Sequence, residues 1–250
     1  MLNVKGHVAL VTGSTAGLGK EIAMVLGRAG AKVAMNYANN TVRGEQAFGE
    51  FQKAGCRGVL VRADVSDEGQ VNQMVRAIED QLGPVDILVI NATPPQVQKP
   101  IEEYDWEFYQ LMVDFFIKSP FLLTRAVLPG MKAAKWGRII NIGSEVFERG
   151  DSQYSAYVAA KGGQLGWTRS MANELAPWNI TVNLIAPGWI LMDRHKNIPQ
   201  ELKDDYLESV PLGRWGRPED IAAMALYFAS EEASFITGQN ICVNGGLTFP

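Results

Sequence analysis

Short apolar runs alternate with longer amphipathic stretches from one end of the chain to the other. Val8-Ala9-Leu10-Val11, Val33-Ala34-Met35, Val59-Leu60-Val61 and Ile87-Leu88-Val89-Ile90 fill the first part of the sequence. Ile139-Ile140-Asn141-Ile142, Val182-Asn183-Leu184-Ile185 and Ile241-Cys242-Val243 follow. None shows the polar alternation of a strand with one wet face. Such runs predict strands covered on both faces, as in a parallel sheet. Between them, amphipathic periodicity predicts helices near residues 18–29, 41–54, 68–82, 105–132, 156–175 and 218–229. Repeated βα units predict an α/β fold, a single doubly wound parallel sheet with helices on both faces. No Pro/Gly/Ser-rich linker, charge block or internal repeat divides the chain, so residues 1–250 read as one domain.

Two stretches break the rhythm. Thr93-Pro94-Pro95-Gln96 follows the fourth strand, and residues 189–211 form a polar, poorly periodic insertion after the sixth, read here as a substrate lid. Both follow strand C-termini, the edge at which open α/β sheets bind ligands. Pro120 interrupts the long 105–132 helix and predicts a kink there.

Composition narrows the function classes. With 47% hydrophobic and 20% charged residues, the chain can bury a sizeable core. A net charge of -4 supplies no basic surface for nucleic acid or an anionic membrane. No apolar run approaches the roughly 18 residues of a membrane span, and the N-terminus lacks a secretory h-region. Cys56 and Cys242 form no C-x-x-C pair, which argues against a disulfide framework or a zinc site and fits a reducing cytoplasm.

The clearest candidate chemistry begins after the first strand, at Thr12-Gly13-Ser14-Thr15-Ala16-Gly17-Leu18-Gly19. Glycines allow a tight turn and a close approach of backbone to phosphate. The helix that follows offers free N–H groups and its positive dipole end to a pyrophosphate. A glycine-rich turn can also serve only to pack strand on helix. Its place in a βαβ unit favours the nucleotide reading, with Gly13, Ser14, Thr15, Gly17, Leu18 and Gly19 as contacts. NAD-binding folds commonly carry an acid at the end of the second strand for the ribose hydroxyls. Tyr37 holds that place, and Met35-Asn36-Tyr37-Ala38-Asn39-Asn40 contains no acid. Nothing there repels a 2′-phosphate, so NADP(H) is favoured over NAD(H), with Asn36 and Tyr37 as contacts and Arg43 as the nearest cation.

Tyr157 and Lys161 are four residues apart in a helical stretch and therefore share a face, one turn apart. A free phenol has a pKa of about 10, too high for proton transfer near neutrality, and a neighbouring ammonium stabilises the phenolate. Ser144 ends the fifth strand at the same edge and can hydrogen-bond a substrate oxygen as charge develops there. A Y-x-x-x-K pair is common by chance on surface helices. Joined to the strand-end serine and the glycine loop, it reads as a catalytic set. Tyr154 has Val158 at its i+4 position and is not the lysine-paired tyrosine. His7 reads as structural at a strand start, and His195 as a lid residue.

The G-x-x-x-G-x-G spacing with Ser144, Tyr157 and Lys161 resembles the short-chain dehydrogenase/reductase family, in its 3-oxoacyl-carrier-protein reductase-like branch. Asp64-Val65 resembles the family's adenine-contacting pair, and Asn91-Ala92 the second half of its Asn-Asn-Ala-Gly motif. Pro187-Gly188 matches the turn beneath the nicotinamide, with Ile190 beyond it. The resemblance runs to Gly245-Gly246 and covers nearly the whole chain. It implies an NAD(P)-binding Rossmann domain that interconverts a ketone (a 3-oxoacyl or small carbonyl compound) and a secondary alcohol by hydride transfer. In that reading Tyr157 is the acid/base, and Lys161 also holds the nicotinamide ribose. Residues 145–154, among them Glu145, Phe147, Glu148, Arg149 and Tyr154, line the substrate pocket with the lid. A homotetramer is implied too, its interface on the helices around 105–132 and 156–175, where Phe115-Phe116-Ile117 and Phe121-Leu122-Leu123 are apolar.

Four departures accompany the resemblance. Phe116 stands where many members have an Asn that holds a water linking the lysine to solvent. Asp114 lies about 200° around the helix from it and does not replace it, whereas Ser119, one turn on, is placed to. Thr93 replaces a Gly, and Met192 a Thr that contacts the carboxamide. Neither Ala16 nor Ala38 is the Arg or Lys that NADP users often carry there. The alternatives are an NAD-dependent sugar/polyol or alcohol dehydrogenase of the same family and, from another class, a catalytically weak nucleotide-binding sensor. A non-redox relative of the halohydrin dehalogenase kind is opposed by intact Gly13, Gly17, Gly19 and Lys161.

Overall fold

A computed structural model describes residues 2–192, 195 and 197–249. Strands β1 (Val8–Val11), β2 (Lys32–Tyr37), β3 (Arg57–Arg62), β4 (Ile87–Ile90), β5 (Gly137–Ile142), β6 (Ile180–Pro187) and β7 (Asn240–Val243) form one parallel sheet. Their order is β3-β2-β1-β4-β5-β6-β7. The order reverses between β1 and β4, which opens a crevice at the C-terminal edge of the sheet. The helices are α1 (Gly17–Arg28), α2 (Thr41–Lys53), α3 (Glu68–Leu82), α4 (Trp106–Val113) and α5 (Ser119–Ala134) in the first part. They continue as α6 (Val146–Arg149), α7 (Ser155–Leu175), α8 (Gln200–Ser209) and α9 (Pro218–Ala229). Residues Asp193, Arg194 and Lys196, within the expected lid, lie outside the described residues.

The unbroken apolar runs have a simple cause. Side chains alternate between the two faces of a strand, and both faces are covered. Ala9, Val11, Val33 and Met35 pack with Ile22 and Leu26 of α1, Phe51 of α2 and Phe228 of α9. Val8, Leu10 and Ala34 pack on the other side with Val75 and Ile78 of α3, Leu123 of α5 and Leu175 of α7. Side-chain caps start several helices: Asn40, Asp67 and Asp105 accept from the N–H groups of Arg43, Gln70 and Phe108.

The expected 105–132 helix is corrected in detail. It consists of α4, a π-turn at Asp114–Lys118, and α5. Pro120 has no N–H to return to the carbonyl of Phe116, and the ladder widens so that Ser119 N–H bonds the carbonyl of Asp114. The irregularity therefore lies one turn before the proline. A second correction concerns the apolar runs assigned to an interface. Phe116, Leu122 and Leu123 are buried inside the molecule, while Phe121 is exposed. The lid stretch also contains a helix, α8, whose polar surface hid its periodicity. Among the described residues no helix is long and apolar enough to cross a membrane.

Candidate active site

The glycine loop is built by close packing against its neighbours. Gly13 (φ 61°) and Gly17 (φ 53°) take left-handed backbone that side chains disfavour. A Cβ at Gly13 would lie 2.9 Å from Ala92 Cα, and one at Gly19 would strike the Asn91 amide nitrogen and approach the Gly13 carbonyl. Asn91 Nδ2 donates to the Thr12 carbonyl at 2.9 Å, and Thr12 Oγ1 accepts from the N–H groups of Asn91 (2.9 Å) and Ala92 (3.0 Å). The loop after β4 thus braces the loop after β1. Ser14 and Thr15 are buried in the turn.

The first turn of α1 has neither a side-chain cap nor an acidic residue. Its N–H groups and positive dipole end remain open to an anion, the fit that a dinucleotide pyrophosphate requires. Met192 lies over the same loop, its Sδ 2.8 Å from where a Cβ of Gly17 would stand.

At the end of β2 the geometry refines the expectation. Asn36 is buried: its Oδ1 accepts from Gly13 N–H (3.2 Å), its Nδ2 donates to the Ala63 carbonyl (3.1 Å), and its N–H donates to Ser14 Oγ (2.9 Å). These bonds tie Asn36 into the glycine loop. The Tyr37 ring lies against Gly44, with its hydroxyl 3.5 Å from Thr41 Oγ1. Arg62, from the neighbouring strand, is also held here, its Nε donating to the Ala38 carbonyl at 2.9 Å. Asp64 Oδ1 accepts from Ser66 N–H and Oγ (2.9 and 2.7 Å), and Val65 is buried.

Tyr157 and Lys161 are both buried in the first turns of α7. Lys161 Nζ donates to the Ile142 carbonyl (2.7 Å) and to Gln164 Oε1 (3.0 Å). The same nitrogen stands 3.8 Å from the ring centroid of Phe116 and 5.7 Å from that of Tyr157. Phe116 and Tyr157 meet edge to face at 5.4 Å, and Tyr154 meets Tyr157 likewise at 5.5 Å. Ile142 ends β5 two residues before Ser144, so the lysine ties α7 to the strand end that carries the serine. Ser144 Oγ accepts from Val146 N–H at 3.4 Å. Burial pushes the Lys161 amine well below the ordinary lysine range. The two oxygens and the face of Phe116 favour its charged form. Asp114 Oδ1 accepts from Gln110 at 3.0 Å, and the buried Ser119 hydroxyl has no hydrogen-bond partner among the described residues.

Next to Ser144 in the chain, Glu145 is buried. Tyr206 of α8 donates to Glu145 Oε1 at 2.7 Å and accepts from Trp189 N–H at 2.7 Å. Burial raises the Glu145 carboxyl above the ordinary range, against the Tyr206 hydrogen bond, which lowers it. Tyr206 stacks on Trp215 at 5.4 Å, and Trp189 meets both rings edge-on at 5.3 and 5.5 Å. His195 closes the group, edge-on to Trp189 at 5.8 Å with Nδ1 accepting from Met192 N–H at 3.2 Å. Of the expected pocket residues, Phe147 turns onto Gly162 of α7, and Glu148 accepts from Asn240 of β7 at 2.8 Å. Gln164, Tyr206, Trp215 and Arg62 escaped the sequence reading. Only Gln164 carried a local signal, three residues after Lys161 on the same helix face. His7 lies at the opposite end of β1, stacked on Trp136 at 4.0 Å with Nδ1 3.4 Å from Asp86. Among the described residues no group of three metal-ligating side chains converges.

Comparison with known proteins fits this arrangement. A family model described as enoyl-(acyl carrier protein) reductase matches residues 13–248. The 3-oxoacyl-(acyl-carrier-protein) reductase FabG of Staphylococcus epidermidis is 38% identical over 241 residues, 96% of this chain and 98% of that protein. The 2-dehydro-3-deoxy-D-gluconate 5-dehydrogenase of Formosa agariphila is 36% identical over 250 residues, 99% of this chain and 94% of that protein. A crystal structure from Agrobacterium tumefaciens, assigned provisionally as a gluconate dehydrogenase, superposes with a TM-score of 0.93 at 33% identity. The match covers 98% of this chain and 97% of that one.

Proposed function

Because the chain belongs to the short-chain dehydrogenase/reductase family, we propose that it interconverts a 3-oxoacyl or small ketone and its secondary alcohol with NADP(H). One observation carries the reading: Tyr157 and Lys161 are buried together at the end of β5, where Ser144 follows, on the sheet edge that also bears the glycine loop. The bound nicotinamide supplies or accepts the hydride.

Tyr157 gives its phenolic proton to the carbonyl oxygen as that oxygen gains charge, and takes it back in the reverse direction. Lys161 favours the phenolate through its charge. Ser144 keeps its own O–H to steady the same oxygen.

Gly13, Ser14, Thr15, Gly17, Leu18 and Gly19 would hold the pyrophosphate at the start of α1, and Asp64 and Val65 would meet the adenine. Asn91, Ala92, Pro187, Gly188 and Ile190 would flank the nicotinamide, and Lys161 would also hold its ribose. Tyr37, standing where an acid would grip the ribose of NAD, supports the NADP(H) preference. The unpaired Cys56 and Cys242 fit a reducing cytoplasm as its place of work.

Absorbance of the reduced nicotinamide, followed with NADPH and a panel of 3-oxoacyl thioesters, simple ketones and keto sugar acids, tests the proposal. Consumption with a member of the panel supports it. Binding of both reduced cofactors without consumption of either points instead to a nucleotide sensor.

A further inference from the structure

We infer that Arg62 reads the 2′-phosphate of NADP(H), reaching it from the neighbouring strand at a place where β2 offers neither acid nor base. The inference rests on the NADP(H) reading above and names the residue responsible for it.

The argument begins with register. Tyr37 and Arg62 are directly paired at the C-terminal ends of β2 and β3. Side chains two apart on a strand share a face. Met35 and Leu60 pack in the core cluster that includes α1 and α2, so Tyr37 and Arg62 stand side by side on that face, at the crevice edge. In dinucleotide-binding folds the residue at the end of the second strand faces the adenosine ribose, and an arginine nearby accommodates a 2′-phosphate.

The side chain does not extend straight from its strand. Its Nε donates to the carbonyl of Ala38, one residue beyond Tyr37. The guanidinium therefore lies across the end of β2. Its two terminal NH2 groups make no hydrogen bond to the described residues, and the residue is exposed. An arginine anchored through Nε presents a fixed fork to a phosphate, with little rotamer freedom left to lose.

The surroundings leave the place open. Tyr37 lies down on Gly44 of α2, and Asn36 is occupied in the glycine loop. Asn40 caps α2 through Arg43 N–H. Asp64, the acid nearest to Arg62 in sequence, turns a carboxylate oxygen onto Ser66. The charge that family members place within the glycine loop or just after β2 is here delivered from β3.

NADPH and NADH differ only in the 2′-phosphate, so fluorescence titration of each tests the assignment without any substrate. The expected wild-type preference for NADPH is about 5- to 30-fold, weakening with salt. R62Q is expected to weaken NADPH binding about tenfold and to leave NADH within about twofold of wild type, which also certifies an intact fold. R62K is expected to fall between them, because an ammonium supplies charge without the fork. If wild type prefers NADPH and R62Q keeps that preference, the assignment to Arg62 fails while the cofactor reading stands. If wild type binds the two alike, both fail.

Discussion

A buried ammonium persists only where its protons find acceptors, and Lys161 has two oxygens and one aromatic face. The face belongs to Phe116. A desolvated cation–π contact contributes about 2 kcal/mol, enough to matter for an amine whose burial already favours the neutral form. Phe116→Leu keeps an apolar filling and removes the ring. We expect kcat to fall about tenfold with KM little changed, the loss of about 1.4 kcal/mol expected when part of that contact goes. The sign of the pH effect follows directly. Without the ring the ammonium is less favoured, so its proton leaves at lower pH, and the alkaline limb of the pH–rate profile moves down. Phe116→Tyr, which retains a ring, is expected to hold the limb in place. A Leu variant with an unshifted limb would remove the ring from the account. That Phe116 lies on the long helical stretch after β4 was legible from chain position alone. Its contact with Nζ was not, because the π-turn that carries Phe116 arises from a missing proline N–H and from packing against α7.

Among the elements, the strands announced themselves because continuous apolar runs have one good home, a sheet covered on both faces. The structure extends several of them by one or two polar residues that join the ladder, such as Lys32 and Arg57. Helix α8 did not announce itself. Its hold on the body is Tyr206, whose hydroxyl bonds Glu145 across 61 residues of sequence, a contact no local pattern encodes. The buried Glu145 makes a testable signature. Its carboxyl is raised in the native state, so between the unfolded value of about 4.3 and the native one the folded protein binds more protons. Stability from this group is therefore fully present at low pH and declines as pH rises through that window. Glu145→Gln still offers Tyr206 an acceptor and has nothing to ionise. Thermal unfolding across pH is expected to show that decline in wild type and a flatter curve for the variant, with the variant the more stable near neutrality. Parallel curves would mean that the Glu145 charge is not the cause.

At the scale of the whole molecule, Trp106, Leu111 and Phe121 project apolar surface from α4 and α5. Closed symmetric assembly is the usual cover for such surface, and we expect a homotetramer with these helices at an interface. Light scattering at micromolar concentration is expected to give four chains for wild type and smaller species for Phe121→Glu. A stable wild-type monomer would contradict this. The proposed catalytic set draws on the end of β5 and on α7, and the proposed cofactor crevice on the ends of β1, β2, β3, β4 and β6, so turnover reports on the fold as a whole. The most direct test of the central claim compares wild type with Tyr157→Phe, using NADPH and a ketone that wild type consumes, with cofactor affinity measured alongside. Loss of nearly all turnover with NADPH binding largely intact is the predicted result, because only the proton donor is removed. A Tyr157→Phe protein that turns over at close to the wild-type rate would contradict the account.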